Sequence, residues 1–155
     1  MTLYTLLKFL HVLAAIVAVG ANVTYGVWFA RAARDPGHLA FALRGVKTLD
    51  DRLANPAYGV LLITGVALLL AGGLPWTTPW LLTSLVLYAV LLLLGLRMYT
   101  PVLRNQIALL EAESPNSEAY RRLAARGQRL GALIAVVVLL IIYLMVTKPV
   151  LWRPA

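Results

Sequence analysis

The sequence predicts an all-α fold, a polytopic membrane four-helix bundle with an interfacial amphipathic helix between spans one and two. Three observations carry this expectation. Hydrophobic residues make up 61% of the chain and charged ones 13%, far from a soluble composition. Several uncharged stretches are long enough to cross a bilayer, and lysine and arginine gather in short segments between them. The 155 residues are read as a single transmembrane domain over 1–155, with spans at about 3–30, 56–73, 80–100 and 128–147. No repeat, low-complexity tract or Gly-rich phosphate loop interrupts that plan.

Span one rests on Phe9 to Ala30, a run with no Asp, Glu, Lys or Arg. It continues through Gly20, Asn22 and Trp28 without the small-residue cleavage site of a signal peptide, so it is expected to be retained. The next uncharged run, Leu53 to Leu96, is too long for one crossing of ~30 Å of hydrocarbon. "GGLPWTTPW" at Gly72 to Trp80 divides it: Pro75 and Pro79 break a helix, and Trp76 and Trp80 suit headgroup depth. Leu130 to Thr147 supplies span four.

Between spans one and two, Leu39, Leu43, Val46, Leu49 and Leu53 recur at helical spacing, with Arg44, Lys47 and Asp51 on other faces, which predicts the interfacial helix. In the third connection, Ser114, Pro115 and Asn116 mark a turn and Ser117 is a candidate N-cap for a helix that runs into span four. From Ser117 to Thr147 such a helix is about 46 Å long at ~1.5 Å per residue, so spans three and four are expected to extend beyond the bilayer. Pro101 is expected to kink span three.

Charge orients the chain. Arg31, Arg34, Arg44, Lys47 and Arg52 lie in the first connection, none in the second, and Arg104, Arg121, Arg122, Arg126 and Arg129 in the third. Connections one and three are therefore expected on the cytoplasmic side, and both termini on the periplasmic or extracellular side, where Lys148, Trp152 and Arg153 end span four. The bacterial inner membrane is the expected location. All 6 acidic residues fall in the two inner connections, leaving no outward carboxylate side chain and, on this reading, no buried acid to couple a transporter. The net charge of +8 is spread over these connections without a continuous basic face, so no nucleic-acid partner is expected. The absence of cysteine closes disulfides, thiolate metal sites and thiol nucleophiles.

Polar groups inside spans are costly unless partnered, and so mark candidate sites. His11 and Asn22 share a stripe of span one with Ala15, Ala18, Tyr25 and Phe29. Lys8 lies three residues before His11 with a stem that reaches the interface. A neutral imidazole is a good axial ligand for haem iron, and a nearby cation can meet a propionate. His11, Lys8, Asn22 and Lys148 are thus the candidate cofactor residues, with His11 the candidate metal ligand and b-type haem the candidate cofactor. His38 belongs to the inner connection, so a second axial ligand would be Lys, Met, water or His11 of another copy, and a homo-oligomer is expected. The simpler reading stays open: His11 and Asn22 then only form interhelical hydrogen bonds. Gly127 and Gly131 form a small-xxx-small pair suited to helix contact.

The run "LLKFLHVLAAIVAVGANVTYGVWFARAAR", with Asp51 to Pro56 and Gly65, resembles a four-helix bacterial "predicted integral membrane protein" family of unknown function. More distantly, Lys8-x-x-His11, "DRLANPA" at Asp51 to Ala57, Gly65 and Lys148-Pro149 are similar to the membrane protoporphyrinogen IX oxidase family. That resemblance implies a helical membrane fold and b-type haem on His11. The oxidases open their third span with a His and Lys pair; "WTTPWLLTSLVLYAV" has neither, so enzymatic activity is left open. Two functions follow: a porphyrin-binding or quinone-binding membrane protein centred on His11, or a non-catalytic membrane scaffold or accessory subunit whose basic helices meet anionic lipid or a partner protein.

Overall fold

A computed structural model describes residues 2–112 and 117–151, without the side chains of 33 and 36. The expected turn at Ser114, Pro115 and Asn116, and the terminal Trp152 and Arg153, lie outside the described residues. Among these residues the regular structure is entirely helical, and 4 helices are long and apolar enough to cross a membrane. The chain forms two compact units, Met1–Pro75 and Trp76–Ala155.

In the first unit, α1 (Leu3–Arg34) starts at Thr2, whose side chain accepts from the Thr5 N–H at 3.2 Å. It ends before Asp35, and Arg31 and Arg34 in its last turn complement the helix dipole there. A short 3₁₀ turn (Pro36–His38) leads to α2 (Leu39–Leu49), then to a π-helical stretch (Asp50–Ala54) and α3 (Asn55–Gly72). The amphipathic segment expected between spans one and two is present as α2, and it runs without a break into span two as one helix, Leu39–Gly72.

The π turn has a local cause. Pro56 has no N–H and its ring crowds the carbonyl four residues back, at Arg52. The preceding turn widens, and the Asn55 N–H reaches the Asp50 carbonyl, five residues back. Leu43, Val46, Asp50 and Ala54 form the buried stripe of this helix, while Leu53 is 44% exposed.

Helix α1 packs antiparallel on α3 and α2. Tyr4 meets Gly72, Trp28 meets Gly45, and the hydrogen-bonded pairs described below fall in order between them. The buried positions Ala14, Ala18, Ala21, Tyr25 and Ala32 follow the alternating three- and four-residue spacing of a left-handed supercoil. Ala15 and Phe29, placed on the stripe by straight-helix counting, are half-buried instead, as expected where a 3.5-residue repeat replaces 3.6.

In the second unit, α4 (Pro79–Leu92) passes through a π-helical stretch (Leu93–Tyr99) into α5 (Thr100–Ala112). Pro101 repeats the logic of Pro56: the Thr100 N–H bonds to the Gly95 carbonyl, and a wide turn precedes the proline. Helix α6 (Glu118–Thr147) starts at Ser117, whose side chain accepts from the Tyr120 N–H at 3.2 Å, as the sequence indicates. Helix α6 packs on α4 and α5. At the α5 contact, Gln106 is 5% exposed and donates to the Leu123 carbonyl at 3.1 Å. Gly127 makes room for it, since a Cβ there would sit 2.6 Å from Gln106 Nε2. Gly131 faces Tyr99, so the small-xxx-small pair is a helix contact within this unit.

Candidate functional site

The α1–α3 interface carries polar rungs in an otherwise apolar seam. At the first, His11 Nδ1 lies 2.9 Å from Thr64 Oγ1. The Thr64 hydroxyl is also within reach of the Val60 carbonyl at 2.7 Å and the Leu61 carbonyl at 3.3 Å, a common habit of threonine in helices. When it donates to either carbonyl it accepts from the ring. In that arrangement Nδ1 of the neutral imidazole carries the proton, and Nε2 presents a lone pair. Gly65 lies beneath the ring, where a Cβ would approach His11 Cε1 to 3.2 Å. The half-buried His11 is thus held by a hydrogen bond on one nitrogen, the way metal-binding histidines are oriented by their surroundings.

Lys8 is exposed, just under one turn towards the N-terminus from His11, and forms no ion pair or side-chain hydrogen bond among the described residues. Asn22 stands eleven residues along α1, about 16 Å at ~1.5 Å per residue, and its amide donates to Tyr58 Oη at 2.5 Å. That is the interhelical bond expected of it on the simpler reading. Lys148 belongs to the second unit. It caps α6 in the left-handed conformation, with φ 46° and its N–H on the Leu144 carbonyl, and its ammonium lies 5.5 Å from the Trp80 ring centroid. Among the described residues no group of three or more His, Cys, Asp and Glu side chains converges on a metal position.

The other rung centres on Asp50, which is 6% exposed. Tyr25 Oη donates to its Oδ1 at 3.4 Å, and the Asn55 amide donates to its Oδ2 at 3.3 Å. The expectation that no acid is buried is therefore wrong: Asp50 lies on the inner stripe of the helix, one step beyond Leu43 and Val46. A signal was available in the spacing, because Leu43, Val46 and Asp50 follow one another at three and four residues, the same interval that buries the first two. Tyr58 and Asn55 carried no such signal, since each depends on a partner from a separate element or turn.

Four apolar helices of spanning length, with hydrogen-bonded polar side chains between them, define an all-helical, multi-pass integral membrane protein. The chain belongs to the family described as "Predicted integral membrane protein (DUF2269)", whose model matches residues 5–149. No curated protein and no solved structure matches it, and the likeness to the protoporphyrinogen IX oxidases has no counterpart among these comparisons.

Proposed function

We propose that this protein is a porphyrin-binding protein of a bacterial inner membrane, holding b-type haem through His11 Nε2. The single observation behind this reading is the hydrogen bond between His11 Nδ1 and the Thr64 hydroxyl, which, with that hydroxyl donating to the Val60 carbonyl, leaves Nε2 as the basic nitrogen. Such an imidazole suits axial ligation of iron. Lys8 is near enough along α1 to meet a propionate at the membrane boundary. A haem held here would supply one-electron chemistry or be the cargo itself. A second ligand to the iron would be Lys, Met, water or His11 of another copy, and the last of these is why a homo-oligomer belongs to the proposal. The distribution of Lys and Arg supports connections one and three facing the cytoplasm and both tails facing outward.

The scaffold alternative draws less from the geometry. Of the cations it would use, Lys47 is paired with Asp51 within its own helix, and Arg121 and Arg122 both bond to Glu118.

Protein purified in mild detergent after expression with ample haem should show a Soret band. His11→Ala should abolish it while circular dichroism stays helical. A colourless wild-type protein, or a band that survives the substitution, would overturn the proposal.

A further inference from the structure

Where α1 leaves its apolar run, a cavity of about 300 Å³ opens between the end of α1 and the start of α2, lined by Trp28, Arg31, Asp35, His38 and Phe41. Trp28 and Phe41 pack with ring centroids 6.1 Å apart at a tilt of 58°, and Phe41 is 62% exposed. Arg31 is exposed, and among the described residues its guanidinium has no ion pair or hydrogen bond. Asp35 lies beyond the helix, where its Oδ2 meets His38 Nδ1 at 2.7 Å and not Arg31. Its Oδ1 has no hydrogen-bond partner among the described residues. One cavity thus carries an unneutralised cation and a half-engaged carboxylate above two aromatic rings, at the end of an apolar run, where tryptophan suits the headgroup region.

We propose that this cavity seats the zwitterionic headgroup of a lipid bearing a phosphodiester and a primary ammonium. The Arg31 guanidinium takes the phosphodiester oxygens, and Asp35 Oδ1 accepts from the ammonium. Trp28 and Phe41 cover the glycerol and the first acyl methylenes. The carboxylate disfavours a headgroup of net negative charge. A quaternary ammonium, lacking N–H, forfeits the hydrogen bond to Asp35. The site is separate from His11 and does not depend on haem binding.

The test uses the full chain with Trp76, Trp80 and Trp152 each replaced by Phe, leaving Trp28 as the only tryptophan, reconstituted into vesicles containing lipids brominated high on the acyl chain. Brominated phosphatidylethanolamine should quench Trp28 more strongly than brominated phosphatidylcholine at equal mole fraction, with a relative affinity about three- to fivefold higher, the scale of an exposed ion pair. Asp35→Asn should remove most of that preference, and Arg31→Gln should weaken quenching by both lipids, since both carry the phosphodiester. In the unaltered chain, native mass spectrometry should show phosphatidylethanolamine adducts outlasting phosphatidylcholine ones. Equal quenching by the two lipids, a preference that survives Asp35→Asn, quenching by both lipids unchanged in Arg31→Gln, or stronger quenching by brominated phosphatidylglycerol would overturn the assignment.

Discussion

At the scale of single residues, two side chains govern the seam of the first unit: Thr64, which hydrogen-bonds His11 Nδ1, and Asp50, which gathers Tyr25 and Asn55. Thr64→Val keeps the volume but removes the oxygen that accepts from Nδ1. It should weaken haem affinity about 10- to 100-fold, the usual loss when a metal-binding histidine is deprived of its orienting partner, and a haem titration followed at the Soret band measures this. Asp50→Ala takes an acceptor from two buried donors and should destabilise the protein by about 1–3 kcal/mol, whereas Asp50→Asn retains an acceptor oxygen and should cost less. Thermal unfolding in detergent orders the three proteins; equal midpoints would show that the carboxylate does not organise this end of the seam. His11 was legible as a candidate because a histidine in an apolar run is rare. Its tautomer was not, because the deciding hydroxyl lies 53 residues away in the chain.

Elements add what single residues do not show. Both π turns end two residues before a proline, at Pro56 and Pro101, and both result from one missing N–H and one displaced carbonyl. The prolines were plain in the sequence, but whether a helix answers with a kink or a wide turn depends on the helices packed against it. That is why Pro101 was readable as a kink point in span three and the π turns were not. The α5–α6 contact shows the reverse case: Gly127 and Gly131 were flagged as a contact pair, and the side chain that needs the space, Gln106, was not. Gly127→Ala would push on Gln106 Nε2 and strain its bond to the Leu123 carbonyl. The cost should be about 1–3 kcal/mol, typical of overpacking, and most of it should vanish in a Gln106→Ala background. A double-mutant cycle on unfolding midpoints reads that coupling; additive losses would mean that the two residues do not compete for the same space.

For the whole molecule, the number of spanning helices followed from uncharged runs, because lipid offers the backbone no hydrogen bonds and leaves few solutions to an apolar chain, whereas the continuation of α2 into span two did not. Ser117 as the start of α6 was equally readable, since an N-cap is a local device. The sides on which His11 and Arg31 lie come from the arginine and lysine pattern, and every functional proposal for the intact membrane depends on them. The natural lack of cysteine makes that sidedness directly measurable. Single cysteines are introduced as Thr2→Cys, Gly37→Cys, Trp76→Cys, Ala112→Cys and Val150→Cys, and intact cells are treated with a membrane-impermeant maleimide. Positions 2, 76 and 150 should label in intact cells, and positions 37 and 112 only after the membrane is opened. Labelling of 37 or 112 in intact cells, or protection of 76, would contradict four crossings with both tails outside.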